Sequence, residues 1–220
     1  MNYILEEIFL VIWTSEILTS LINTVAQSLL IPVLIVLVVI IIWTLVEIGI
    51  IVAEYSKRAK ITDEQLDAIV TNVSHAENTD QVEYIIRSSN LNKEYVDVLL
   101  KVLGGHRFTD NTREAYSRKV IDSQEFVMGR TLRRTDIISR IGSGCGLLGT
   151  LIPLGPGLAS LGSGDIATLS AQLIIAFNTT TVGLAASLVA YVMGKIRRSW
   201  YDEDMSNVYV IAEAIAEKEL

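Results

Sequence analysis

The chain has 220 residues, half of them apolar, with a mean hydropathy of +0.43 and a formal net charge of -7. The negative charge excludes a strongly basic nucleic-acid-binding protein, so we expect no nucleic-acid partner. The single cysteine, Cys145, excludes an internal disulfide, and two isolated histidines argue against a metal site, so we expect no metal and no other cofactor.

The first element in chain order is a helix over residues 1–27. Its apolar residues recur near helical spacing, but Glu6, Glu7 and Glu16 interrupt the apolar face. This pattern favours a helix that lies on the outer surface of a membrane. A helix that packs against a neighbouring subunit would explain the pattern equally well.

The second element is a membrane span over residues 28–53. Its central part, Leu29 to Val46, carries no charged residue and is long enough to cross a bilayer. Glu47 follows near the inner end and is the one candidate for a charged intramembrane residue. We expect its carboxylate to reach water or to pair with a neighbouring subunit rather than to relay protons.

A helical cytoplasmic region is expected over residues 54–135. Thr62 and Gln65 have the spacing of a capping box at the start of a helix. The pair Gly104-Gly105 is expected to end a later helix. From Asp110 or Thr112 a long helix without proline should run directly into the next span.

Two further uncharged runs predict a transmembrane hairpin over residues 136–162 and 163–194. The connection from Gly162 to Asp165 is short enough only for a tight turn, in which Asp165 is expected to cap the following helix. Pro153 and Pro156 should kink or break the first hairpin helix. A cytoplasmic helix over residues 195–220 completes the chain.

The basic residues assign the two sides of the membrane. All 18 Lys and Arg lie in residues 57–140, with 14, or in residues 195–218, with 4. Three spans place both stretches on one side, and the positive-inside rule makes that side the cytoplasm. We therefore expect a multi-pass protein of the inner cell membrane, in contact with lipid, with its N-terminus outside and its C-terminus in the cytoplasm.

The glycines at 144, 146 and 149 match the dinucleotide-binding pattern G-x-G-x-x-G, and an acid, Asp165, follows at about the expected distance. That site requires a strand before the glycines and a βαβ unit around them. An arginine-rich helical stretch precedes them instead. We therefore expect no nucleotide enzyme.

The two hairpin helices carry matching faces of small and hydroxylated residues. Such residues allow close approach of membrane helices and hydrogen bonding across them. Packing alone would explain the faces; the other interpretation is the lining of an ion pathway. The candidates for the pathway are Ser143, Thr150, Asn178, Thr179, Thr180, Thr181 and Ser187, and those for packing are Gly142, Gly146, Gly149 and Gly183.

Two stretches resemble the MotA/TolQ/ExbB proton channel family. The first is Leu132–Ile141 followed by Gly146-Leu-Leu-Gly-Thr150, and the second is Ala176–Ala186, which contains Thr181-Val-Gly-Leu-Ala-Ala186. The three-span order is similar to that of the ExbB and TolQ type. The resemblance is clearest over residues 110–200.

The resemblance implies an all-α, oligomeric bundle of five copies around a dimer of a single-span partner of the ExbD, TolR or MotB type. The partner's intramembrane Asp carries the proton in that family, so the proton is the expected ion, and Thr150 and Thr180 match the family's pore-facing threonines. The third span lacks the acid common in ExbB and TolQ, which leaves H⁺ or Na⁺ open. The expected function is a channel subunit that powers movement of the partner; the alternative is an oligomeric scaffold that conducts nothing.

Overall fold

The computed structural model describes the backbone of residues 2–217 and the side chains of residues 15–109 and 111–217. No strand occurs in this part of the chain, which confirms the predicted all-α class. The helices, in chain order, are α1 (Asn2–Ser28), α2 (Leu30–Lys57), α3 (Asp63–His75), α4 (Thr79–Ser88), α5 (Lys93–Gly104), α6 (Asp110–Gly162) and α7 (Ile166–Ala216), with a 3-10 turn at Gly105–Arg107.

Three helical segments are long and apolar enough to cross a membrane, as the sequence predicts: Ser15–Lys57, Asn111–Gly162 and Ile166–Ala216. The helix α6 has 53 residues. A helix of that length measures about 80 Å, whereas the hydrocarbon core of a bilayer is about 30 Å thick. The helices therefore extend well beyond the membrane. The pentameric arrangement stays a prediction.

The chain divides into two compact units. The hairpin unit comprises Met1–Glu47 and Asp136–Tyr191, and the charged unit comprises Ile48–Thr135 and Val192–Leu220. Of the 18 Lys and Arg residues, only Arg140 falls in the hairpin unit. The division thus follows the charge pattern of the sequence.

A proline separates the first two helices of the hairpin unit. Because Pro32 has no N–H, the carbonyl of Ser28 lacks the donor that a continuous helix would supply four residues later. Accordingly α1 ends at Ser28 and α2 begins at Leu30. The α2 residues that follow at helical spacing on the buried face are Val33, Leu37, Ile40, Thr44 and Glu47.

The hairpin turn is a short loop between Gly162 and Ile166. Gly164 has a φ of 76°, a left-handed conformation that costs glycine little. The backbone N–H of Thr168 donates to Asp165 Oδ1 at 3.0 Å, so Asp165 caps α7 as predicted. The Thr168 hydroxyl also donates to this carboxylate, and these bonds hold the pKa of Asp165 below its ordinary value.

The sequence predicts a kink or a break at the two hairpin prolines, and the structure shows that the helix is not broken there. Pro153 and Pro156 both lie inside α6, which continues to Gly162. A proline in a helix interior removes one backbone donor and strains the preceding turn, but packing and other donors in a membrane protein stabilise such a helix. One of these donors comes from another helix and is described below.

In the charged unit, three short helices, α3 to α5, share an apolar core with parts of α6 and α7. The predicted capping box is confirmed, since the Thr62 hydroxyl accepts from Gln65 N and the Gln65 side chain accepts from Thr62 N. The helix α5 ends at Gly104, also as predicted. The long helix begins at Asp110.

Ion pairs connect Arg58, which directly follows α2, to α7 inside this unit. Arg58 Nη2 lies 2.9 Å from carboxylate oxygens of both Glu203 and Asp204. The Tyr95 hydroxyl donates to Asp204 at 3.1 Å. Burial, followed by the charge of Asp204, raises the pKa of Tyr95 far above its ordinary value, so the hydroxyl stays protonated and keeps donating.

A second pair joins Arg197, whose side chain is fully buried, to Glu54 at 2.8 Å. Removing one partner of a buried pair leaves the other charge without its compensation. We expect Glu54→Ala to lower the free energy of unfolding by about 2 kcal/mol, since Glu54 is itself partly exposed. Thermal unfolding in detergent measures this.

The matched control is Glu83→Ala, which breaks the exposed i,i+4 pair of Glu83 with Arg87 on α4. Exposed pairs of this kind contribute about 0.5 kcal/mol or less. Equal losses of stability in the two variants would contradict a stabilising role for the buried pair.

Candidate functional site

Glycines bring the two hairpin helices, α6 and α7, into backbone contact. A Cβ atom built on Gly183 would lie 2.6 Å from the carbonyl oxygen of Gly142 and 2.7 Å from Cα of Gly146. Real Cβ atoms do not approach backbone atoms this closely, so a larger residue would push the helices apart. Close approach of this kind is how small residues hold membrane helices together.

Gly149 makes a similar contact with Thr179 of α7. A Cβ atom on Gly149 would lie 2.6 Å from Thr179 Cβ and Oγ1. The Thr179 hydroxyl donates within its own helix, with Ile175 O and Ala176 O both at 2.9 Å. Thr179 therefore faces the helix–helix contact, and the residue is only 6% exposed.

One helical turn after Gly146, the hydroxyl of Thr150 directly contacts the hydroxyl of Thr180. Both also lie within hydrogen-bond distance of the Gly146 carbonyl oxygen, at 3.0 Å for Thr150 and 3.2 Å for Thr180. The structure thus pairs the two threonines that the sequence singles out, and it places a shared backbone acceptor beneath them.

The hydrogen-bonding capacity of this pair is limited by its protons. A threonine hydroxyl has one proton to donate and two lone pairs to accept with. In one arrangement both protons point to Gly146 O. In the other, one hydroxyl donates to its neighbour and the neighbour donates to Gly146 O, so in each arrangement both protons are used among these three oxygen atoms. What remains available is a set of oxygen lone pairs, which accept from water or hydronium or bind a bare cation.

A second polar contact lies towards the other end of the hairpin. Ser187 Oγ donates to the Ser139 carbonyl oxygen at 2.6 Å and lies 3.5 Å from Ser139 Oγ. The sequence does not single out Ser139, because this residue lies in the arginine-rich stretch before the uncharged run. The one sequence feature that points to it is its position one helical turn before Ser143 on α6.

The remaining candidates do not join these contacts. Ser143, Asn178 and Thr181 are exposed in the single chain, and the Thr181 hydroxyl donates to Phe177 O of its own helix.

Glu47 is only 1% exposed. Because Glu47 lies on the buried face of α2 with Leu37 and Thr44, its carboxylate does not reach water within the single chain, and pairing with a neighbouring subunit stays a prediction.

Among the side chains that the structure describes, no group of three or more His, Cys, Asp or Glu residues is placed to hold a metal ion. The chemistry that the hairpin offers is that of hydroxyl and carbonyl oxygens in an apolar setting.

Comparison with known proteins adds one finding. A family model described as the MotA/TolQ/ExbB proton channel family matches residues 90–209, more than half of the chain. The matched range contains α5, α6 and α7 as far as Tyr209, and hence Thr150, Thr180 and all four packing glycines. It does not include α1 or α2. The comparison with curated proteins gives no match.

Proposed function

The chain belongs to the MotA/TolQ/ExbB proton channel family, and on that premise we propose that it is the channel subunit of an energy-transducing complex that moves a single-span partner. Membership of this family implies ion-channel function in energy transduction, and the three apolar helices make the chain a multi-pass membrane protein. The observation that carries the proposal is the Thr150–Thr180 hydroxyl pair above the Gly146 carbonyl.

The proposed membrane is the inner cell membrane, with the N-terminus outside and the C-terminus in the cytoplasm. Support comes from the concentration of Lys and Arg in residues 57–140 and 195–218, which the positive-inside rule assigns to the cytoplasm. In this arrangement Asp165 caps α7 at the outer surface, and the charged unit lies in the cytoplasm.

The proposed assembly has five copies of the chain around a dimer of an ExbD-, TolR- or MotB-like partner. The reason to invoke a partner is chemical. Between Ile166 and Gly194 the third span has no acid and no base. Because Glu47 lies near the inner end of the first span, a titrating group at the membrane centre would have to come from elsewhere, and an intramembrane Asp on the partner would supply it.

In this proposal Thr150 and Thr180 bind the transported ion next to the partner's carboxylate. Their lone pairs accept hydrogen bonds from water or hydronium, and the same oxygens would also serve a sodium ion. Each elementary charge that crosses 100 mV releases about 2.3 kcal/mol. Movement of the partner that requires more than this amount of work needs several ions.

The other pathway candidates have different proposed roles. Ser187 extends the polar line from Thr150 and Thr180 to Ser139. Ser143, Asn178 and Thr181, which are exposed in the single chain, are available to face the partner. We assign Thr179 to packing against Gly149 instead of to the pathway.

A non-conducting scaffold is the second candidate, because the backbone contact between Gly142 and Gly183 explains the small residues without conduction. Co-expression of the chain with a single-span protein bearing an intramembrane Asp, followed by native mass spectrometry, tests the assembly. The proposed function requires a complex of several copies with the partner. A stable monomer that recruits no such protein would contradict it.

A further inference from the structure

A glutamine at the end of α1 is hydrogen-bonded to the backbone of α6. Gln27 Nε2 lies 3.3 Å from the carbonyl oxygen of Ile152, 125 residues away in the sequence. A Cβ atom on Gly155 would lie 3.8 Å from the same Nε2, so the amide lies against the turn between Ile152 and Pro156. A carbonyl oxygen only accepts, and therefore the NH₂ group of the glutamine faces it.

This carbonyl requires a donor from outside its own helix. In an α-helix the carbonyl of residue i accepts from the N–H of residue i+4. For Ile152 that residue is Pro156, which has no N–H. Ile152 is only 7% exposed and lies in an apolar span, where an unsatisfied carbonyl is costly.

The position of Gln27 follows from the sequence around it. Gln27 lies in the last turn of α1, just before the interruption caused by Pro32. One turn later, Leu30, Val33 and Leu37 of α2 pack with Ile152 in an apolar cluster. The side chain of Gln27 therefore continues the same buried face and reaches α6 at the point where its backbone lacks a donor.

We propose that Gln27 supplies the hydrogen-bond donor that Pro156 removes from α6, and that it thereby positions the turn of α6 that carries Thr150. Thr150 precedes Ile152 by two residues. The structural part of this inference is independent of the ion pathway. The part that concerns Thr150 rests on the proposed function. Gln27 lies outside the range that the family model matches.

The test is a double-mutant cycle between Gln27→Met and Pro156→Ala. Methionine keeps the length of the side chain and removes its donor, whereas alanine at 156 restores the backbone N–H. Gln27→Met alone should lower the melting temperature in nanodiscs by about 2–4 °C, the shift that loss of one hydrogen bond produces in a chain of this size. In the Pro156→Ala background the same substitution should change it by less than about 1 °C.

Gln172→Met is the matched control. Gln172 Cβ lies near Gly157 on the same hairpin, but its amide makes no contact of this kind with α6. Its substitution should leave the melting temperature unchanged in both backgrounds. Equal losses from Gln27→Met with and without Pro156, or no loss in either, would overturn the structural inference.

Hydrogen exchange provides a second readout that does not require the Pro156 variant to fold. Gln27→Met should accelerate exchange of the amides of residues 154, 155 and 157–160, and Gln172→Met should not. Unchanged exchange in Gln27→Met would count against the inference.

Ion flux of the complete complex tests the positioning of Thr150. Gln27→Met should reduce flux, and addition of Pro156→Ala should restore it. If the melting temperatures show coupling while flux in Gln27→Met equals that of the wild type, the role in positioning Thr150 is wrong. If the wild-type complex conducts nothing, the proposed function fails while the coupling between Gln27 and Pro156 stands.

Discussion

Valine at position 150 or 180 is expected to reduce ion flux by about 10- to 100-fold while the oligomer still assembles. Valine keeps the shape of threonine and removes the hydroxyl. A hydrogen bond to a charged species contributes about 1.5–3 kcal/mol, and each 1.4 kcal/mol corresponds to a factor of ten. Because the two hydroxyls contact each other, one valine also removes a partner from the remaining hydroxyl. The double variant should show no flux above background.

The control for this pair is Thr24→Val. The Thr24 hydroxyl donates to Ser20 O within α1, the same i−4 bond that Thr150 makes with Gly146. Flux and assembly of this variant should match those of the wild type, measured by dye quenching in liposomes and native mass spectrometry. Wild-type flux in both Thr150→Val and Thr180→Val would remove the assignment of the ion pathway to these residues.

Gly183→Ala is expected to have the largest effect on the stability of the hairpin. The added methyl group would lie within 2.7 Å of two backbone atoms of α6, and backbone cannot move aside as a flexible side chain does. Overpacking at such a contact costs about 3 kcal/mol. In a chain of this size that cost lowers the melting temperature by about 6–12 °C. Separation of the helices should also reduce flux, since Thr180 would move away from Gly146.

Gly144→Ala, in the other hairpin helix, is expected to have the opposite effect on stability. A Cβ atom on Gly144 meets nothing within 4 Å. Alanine is favoured over glycine in a helix by about 1 kcal/mol, so this variant should raise the melting temperature by about 2–4 °C. If Gly183→Ala is as stable as Gly144→Ala in detergent and in nanodiscs, backbone contact is not what holds the hairpin together.

Much of the fold is predictable because it depends on local chemistry. The three spans follow from the absence of charge over stretches long enough to cross a bilayer. The capping box at Thr62 and the cap at Asp165 each depend on residues only three positions apart. Of the glycines in the dinucleotide-like motif, Gly146 and Gly149 are the predicted packing residues, and Gly146 contacts Gly183.

The features that the sequence did not reveal depend on which residues meet across helices. The faces of α6 and α7 were predictable, but the shared acceptor at Gly146 O and the contact between Ser139 and Ser187 depend on the register of the two helices. The prolines predict a kink or a break in α6. The helix is not broken, and the Gln27 amide, more than one hundred residues away in the sequence, lies within hydrogen-bond distance of the Ile152 carbonyl that Pro156 leaves without a donor. The burial of Glu47 likewise depends on helices that pack on α2.

Ion flux through the reconstituted complex is the most direct test of the proposed channel function and of the role of Thr150 and Thr180 in it. The chain and its single-span partner are placed in liposomes under an imposed membrane potential, with proton- and sodium-sensitive dyes read in parallel. We expect a flux of one of these ions that requires the partner and falls to the level of empty liposomes in the Thr150→Val/Thr180→Val variant. An intact complex, verified by native mass spectrometry, that conducts neither ion above that level would contradict it.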